Sequence, residues 1–125
     1  MRTPEQLIRD TEPFPDNLIE QLPKTDKRPA LSYVSWSHYN QRLLLHHPDH
    51  SWQVTALVYG GTTWAVAGEL TIDGVAYAGV GEDSTPTAAE SNAYKRAAAH
   101  AGIGLHLYGG YWLHDRLVKG DGDGD

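Results

Sequence analysis

The chain contains no cysteine. This absence excludes disulfide bonds, thiolate catalysis and metal centres held by cysteine sulfur. Long hydrophobic runs are also absent, and the first ten residues lack the apolar core of a signal peptide. Together these absences predict a cytoplasmic protein with no membrane partner.

Positive charge is scarce. The 125 residues include 10 lysines and arginines against 16 aspartates and glutamates, a net charge of −6. Because phosphate groups are bound by cations, this balance disfavours tight non-specific binding of nucleic acid. The acidic excess is concentrated in residues 1–23, which hold two cations against five anions, and in the three aspartates after Gly120. The region between them is neutral, which leaves room for a local basic site.

The length corresponds to one domain with two flanking segments. We predict an N-terminal arm with short helical turns at residues 1–23, a core domain at residues 24–118, and an acidic Gly/Asp tail at residues 119–125. The composition of the tail is typical of disorder. Within the arm, prolines separate two predicted helical segments, Pro4–Asp10 and Pro15–Leu22.

Alternating and helical patterns in the core domain predict an α+β fold. A short strand at Ala30–Val34 precedes a helix that begins after Ser35 or Ser37 and ends near His46. Glycine-containing turns then separate three strands. The predicted strands are Ser51–Tyr59, Thr62–Asp73 and Val75–Val80.

Two features of these strands predict how they pack. In the first strand, apolar residues alternate with polar ones and predict one buried face, made of Trp52, Val54, Ala56 and Val58. In the third, Gly79 and Gly81 favour a bulge or a close approach of backbone.

A long alanine-rich helix follows the strands. Thr85 is a suitable N-cap, Pro86 suits the first helical position, Thr87 and Glu90 have the spacing of a capping box, and Gly102 can end the helix. The predicted architecture is therefore a helix, a three-stranded antiparallel β-meander and a long helix packed on the sheet.

The two faces of this helix differ in chemistry. Small residues at helical spacing predict an inner face that packs closely on the sheet, whereas Lys95 and Arg96 lie on the opposite face. The residues from Thr85 to Tyr108 resemble the signature helix of the Rad-fifty-two-type superfamily of single-strand annealing proteins. The matching positions are Ala88, Ala89, Ser91, Ala93, Lys95, Arg96, Ala97, Ala98, Gly102, Ile103, Gly104, Leu107 and Tyr108.

The resemblance implies a function. Members of this superfamily bind single-stranded DNA and anneal complementary strands in homologous recombination or DNA repair, as rings or filaments of identical subunits and without nucleotide hydrolysis. The resemblance further implies a small bacterial or phage protein, related to bacterial DNA-end-protection proteins, with recombination proteins as further partners. It implies no cofactor and no catalytic residue.

The resemblance also implies the binding residues. In the superfamily the basic pair lines a groove that holds the sugar–phosphate backbone, which here implies DNA contacts for Lys95 and Arg96. A cationic segment and an aromatic residue upstream contribute to the same groove. The corresponding positions here are Lys24, Lys27, Arg28 and Tyr33. Stacking of a base on a tyrosine is tolerant of sequence, as annealing requires.

Departures from the superfamily pattern support an alternative. Ala99 stands where some members carry a further basic residue, and Leu105-His106 replaces a common Arg-Tyr. Histidines at 100 and 106 can gain charge below about pH 6.5 and partly restore basicity. The alternative function is an oligomeric protein-interaction module of the same fold with little or no DNA binding.

Metal and enzyme chemistry are not indicated. The histidine-rich HHPDH segment at residues 46–50 matches no zinc-binding spacing, so we expect no metal site. No nucleophile elbow or phosphate-binding glycine motif is present, and we therefore predict that the chain is not an enzyme.

Overall fold

Three long strands and the helix that follows them form the centre of the protein. The structure is a computed structural model that describes residues 1–26, 29–109, 111–113 and 116–118. The helices are α1 (Pro4–Asp10), α2 (Trp36–His46) and α3 (Pro86–His100), with 3₁₀ turns at Asp16–Leu18 and Leu105–Leu107. The strands are β1 (Glu20–Leu22), β2 (Leu31–Tyr33), β3 (Ser51–Tyr59), β4 (Trp64–Ile72), β5 (Val75–Asp83), β6 (Tyr111–Leu113) and β7 (Arg116–Val118). The predicted α+β fold is confirmed.

The central sheet is an antiparallel meander in the order β3-β4-β5. The turn between β4 and β5 has positive φ at both Asp73 (51°) and Gly74 (83°), as a tight hairpin with right-handed twist requires. Two further antiparallel pairs, β1-β2 and β6-β7, lie outside this sheet. Among the helices of the described residues, none combines the length and apolar character needed to cross a bilayer.

Helix α3 packs on one face of the sheet, mainly over β4 and β5. Its side chains toward the sheet are small, and the alanines at 89, 93, 97 and 98 are fully buried. On the strand side, a Cβ atom at Gly79 or Gly81 would overlap the backbone of α3. The predicted close backbone approach at these glycines is therefore confirmed, and it holds the helix tightly against β5.

The predicted buried face of β3 is wrong in its second half. The register of β3 against β4 shifts between Val54 and Ala56, which leaves one extra residue in β3. This bulge reverses the alternation, so that Leu57 pairs with the buried Val66 on the α3 side while Val58 lies on the other face. Since β3 is also an edge strand that α3 barely covers, Val54 is 39% exposed and Val58 is 59% exposed.

The second helical segment predicted in the arm starts as expected but ends sooner, and its last part is wrong. Only Asp16–Leu18 forms a 3₁₀ turn, and Glu20–Leu22 is a strand that pairs with Leu31–Tyr33. A helix of this length is marginal in isolation, whereas pairing with β2 satisfies the backbone groups of both segments.

A buried ionic cluster joins the N-terminal residues to the rest of the chain. Asp10 is fully buried and accepts hydrogen bonds from Arg2 Nη1 at 2.9 Å and from His47 Nε2 at 2.6 Å. The same arginine donates to the carbonyl oxygen of Ala101 at 2.8 Å and to the hydroxyl of Tyr77 at 2.8 Å. Because a buried charge is costly unless it is paired, this cluster ties α1 to α2, β5 and the end of α3.

Candidate nucleic-acid interface

A groove of about 180 Å³ lies between α3 and β2. Thr85 is the N-cap of α3, and its side chain accepts a hydrogen bond from the Ala88 N–H. The predicted capping box is wrong, because the Glu90 carboxylate instead accepts a hydrogen bond from Trp52 Nε1 at 3.0 Å. With the alanine face against the sheet, the opposite face forms one wall of the groove.

Lys95 and Tyr33 meet in this groove. The Lys95 ammonium lies 5.5 Å from the centroid of the Tyr33 ring, within cation–π distance. Its Nζ atom also lies 3.5 Å from the carbonyl oxygen of Val34. The structure thus brings together two predicted binding residues that are 62 positions apart in sequence.

The environment of Lys95 favours an anionic ligand. The side chain is half-buried, and this desolvation lowers the pKa of its ammonium below the ordinary lysine value. Among the described residues, no carboxylate lies within ion-pair distance of Lys95. A phosphate oxygen placed here would supply the negative partner that a partly dehydrated cation requires.

Arg96 is exposed and points toward the edge of β5, although it also lines the groove. Its Nη1 donates to the carbonyl oxygen of Val80 at 3.3 Å. It is the middle member of a row in which Asn92 Nδ2 donates to Glu82 O at 3.1 Å and His100 Nδ1 donates to Ala78 O at 2.6 Å.

The row follows from the spacing of the two elements. Four residues of helix rise about 6 Å and two residues of strand rise about 6.6 Å, so every fourth side chain of α3 meets every second carbonyl of β5. The two adjacent cations therefore lie in different environments. Lys95 faces β2, whereas Arg96 forms part of the contact between α3 and the edge of β5.

The upstream cations are only partly described. Lys24 is exposed in the segment between β1 and β2, while Lys27 and Arg28 lie outside the described residues. Two polar residues that were not among the predicted binding residues, Ser32 and Asn92, also line the groove. Helical spacing places Asn92 three residues before Lys95, which is the signal by which it could have been found.

The positions where basic residues are missing lie beside Arg96. Ala99 and Leu105 line a shallow surface together with Arg96, His100 and Tyr108, so this surface gains no further lysine or arginine from those positions. His106, which was expected to add basicity, does not line this surface. The residue is 2% exposed, and its Nε2 accepts a hydrogen bond from the Phe14 N–H at 3.1 Å in the interior.

The histidine-rich segment at residues 46–50 is part of the buried ionic cluster. His47 donates to Asp10, and His46 Nδ1 lies 3.6 Å from the second oxygen of the same carboxylate. In the described ranges, no group of three or more histidine, aspartate or glutamate side chains has the arrangement of a metal site. Two residues of the segment, His46 and His47, thus contact Asp10 of α1.

Comparison with known proteins gives one informative similarity. No family model matches the sequence. The chain is 30% identical over 109 residues to "DNA repair RAD52-like protein 1, mitochondrial" of Arabidopsis thaliana, a match that covers 75% of this chain. The chain spans 60% of the length of that relative. This similarity agrees with the resemblance of α3 to the signature helix of the Rad-fifty-two-type superfamily.

Proposed function

We propose that the protein binds single-stranded DNA and anneals complementary strands in recombination or repair, as a ring or filament of identical subunits and without nucleotide hydrolysis. The observation that carries this proposal is the meeting of Lys95 and Tyr33 in one groove beside α3. The similarity to a plant protein named for DNA repair gives independent support.

The groove can hold a strand by its backbone. Lys95 supplies a charge for one phosphate, and Tyr33 supplies an aromatic surface. Contacts of this kind position a strand without reading its sequence. A bound strand would keep its base edges free to pair with a second strand, which is the physical requirement for annealing.

One subunit offers few cations, so binding of DNA depends on several subunits that contact the same strand. The net charge of −6 opposes DNA at long range, and the surface near Ala99 and Leu105 adds no basic group from those two positions. Identical subunits in a ring or filament would place the same groove along one strand many times, and the linked contacts would raise the overall affinity. The predicted contacts from Lys24, Lys27 and Arg28 would add charge to each groove.

The proposal is tested by fluorescence anisotropy of a labelled oligothymidine across a salt series. Lys95→Met keeps most of the side-chain volume and removes the charge. Arg9→Gln is the matched control, because Arg9 is exposed on α1 and does not line the groove. We expect salt-sensitive binding by the wild type, a loss of about tenfold in Lys95→Met and little change in Arg9→Gln. Equal affinities for all three proteins, or no binding at low salt, would contradict the proposal.

A protein-interaction module of the same fold is the second candidate. The observation that favours it is the exposure of apolar residues at the end of β3. Leu57 and Tyr59 on the α3 side and Val58 on the other face are each more than half exposed. Salt distinguishes the two functions. Phosphate contacts weaken steeply as salt rises, whereas binding through an apolar surface does not.

A further inference from the structure

A second pocket lies at the N-terminal half of α3, between that helix, α2 and the start of β3. It encloses about 300 Å³ and shares no lining residue with the groove described above. Three aromatic side chains line it, from Trp36, Trp52 and Tyr94, together with the carboxylate of Glu90.

The aromatic walls are held in place. The rings of Trp52 and Tyr94 meet edge to face, with centroids 5.1 Å apart. The Tyr94 hydroxyl donates to Asn40 Oδ1 at 3.0 Å, which fixes that ring from α2. Trp36, in contrast, is 50% exposed and presents a large aromatic surface at the mouth of the pocket.

The carboxylate in this pocket has no cationic partner among the residues that the structure describes. One oxygen of Glu90 accepts the hydrogen bond from Trp52 Nε1, which orients the group toward the aromatic rings. The ion pairs of the described residues do not include Glu90. A half-buried carboxylate beside aromatic faces is complementary to a positively charged group, because the charge and the ring quadrupoles attract the same cation.

We propose that this pocket binds the cationic side chain of a lysine or arginine presented by another protein. The carboxylate excludes phosphate, so the pocket is unsuited to the DNA backbone. Trp52 belongs to β3, and among the described strands none pairs with the outer edge of β3. An extended basic segment can therefore lie along that edge and place one long side chain between Trp36 and Trp52. This binding site is distinct from the proposed DNA function and does not depend on it.

The test uses N-acetyl-lysine amide as the probe and N-acetyl-norleucine amide as its uncharged counterpart of similar length. Each is titrated into ¹⁵N-labelled protein, and the indole N–H signals of Trp36 and Trp52 are followed after assignment with Trp36→Phe and Trp52→Phe. We expect saturable shifts of both signals with the lysine derivative and at least fivefold weaker binding of the norleucine derivative.

Variants distinguish the loss of a charge contact from the loss of the folded structure. Glu90→Gln keeps an oxygen that can accept from Trp52 and should weaken lysine binding about fivefold, as expected for loss of one charge contact. Glu69→Gln, an exposed carboxylate on the opposite face of the sheet, should leave it unchanged. Trp36→Ala, which changes a half-exposed side chain, should also weaken binding of the lysine derivative. It provides a second variant should Glu90→Gln fail to fold.

Three results would overturn the proposal. Equal binding of the two probes would show that the pocket recognises the apolar part of the side chain and not its positive charge. Shifts of the same indole signals by oligothymidine but not by the lysine derivative would make it a base-stacking site. Shifts that appear on concentrating the protein alone would assign the pocket to a second copy of this chain.

Discussion

The guanidinium of Arg96 donates a hydrogen bond to the carbonyl oxygen of Val80 at 3.3 Å, so one of the two adjacent cations of α3 is part of the helix–sheet contact. The other, Lys95, is instead half-buried beside Tyr33 and unpaired with any carboxylate of the described residues. The two cations are adjacent in sequence, yet one lies in the groove beside Tyr33 and the other contacts the edge of β5.

The first prediction is that substitutions of Lys95 and Arg96 have opposite effects on the free energy of unfolding. Burial lowers the pKa of Lys95, which means that folding disfavours its charge. Lys95→Met removes that cost, and we expect its free energy of unfolding to equal or exceed that of the wild type while DNA binding falls. Arg96→Ala removes the hydrogen bond to Val80 and should lower the free energy of unfolding by about 0.5–1 kcal/mol. Urea denaturation measures both; a less stable Lys95→Met protein would contradict the prediction.

The second prediction is a gain of binding. Leu105 lies beside Arg96 on the shallow surface and is half-buried, so an arginine there can pack its stem and extend its charge to solvent. We expect Leu105→Arg to bind oligothymidine about fivefold more tightly and to steepen the logarithmic salt dependence by about 0.7 for one added phosphate contact. Leu105→Gln is the uncharged control. If both variants bind alike, charge at this position does not reach the DNA.

The third prediction concerns the contact between α3 and β5. A Cβ at Gly81 would overlap the backbone of Ala89 and Ala93, which cannot move without shifting the helix. We expect Gly81→Ala to lower the free energy of unfolding by about 1–3 kcal/mol. At Gly60 the nearest atom to a new Cβ is 3.8 Å away, so Gly60→Ala serves as the control and should change stability little. Similar thermal midpoints for the two variants would show that the helix tolerates the extra atom.

The fourth prediction concerns pH. Desolvation and then the nearby Arg9 lower the pKa of His46, against the opposing effect of Asp10. The unfolded chain therefore binds this proton at a higher pH than the folded chain, and stability should fall as pH drops below about 6.5. Denaturation of the wild type and of His46→Asn between pH 7.5 and pH 5.0 measures the difference. The wild type should lose more stability over this interval, and parallel curves would exclude His46 as the cause.

Local signals were sufficient for α3 and for the strand order. Thr85 and Pro86 mark the start of the helix, and the Asp73-Gly74 turn joins β4 to β5, because each of these features depends on a few neighbouring residues. The bulge in β3 and the pairing of Glu20–Leu22 with β2 were missed, since both depend on which strand lies alongside.

The least predictable features involve polar residues far apart in sequence. Asp10 is one of five acidic residues in the predicted N-terminal arm, and nothing in its sequence neighbourhood distinguishes it, yet it is fully buried against Arg2 and His47. Glu90 was assigned to a capping box, yet it meets Trp52 from a different element. In each case tertiary packing determines which residue is the partner, and the amino-acid composition does not indicate which residue that is.

The row formed by Asn92, Arg96 and His100 has a consequence for how copies can associate. A ring or a filament requires two different surfaces on each subunit, and the simplest pair would be the two edges of the central sheet. Side chains of α3 already occupy the outward carbonyls of β5 at Ala78, Val80 and Glu82. If copies associate as proposed, a sheet continuous from one copy to the next through β5 would have to displace all three side chains, which disfavours this edge as a contact between copies.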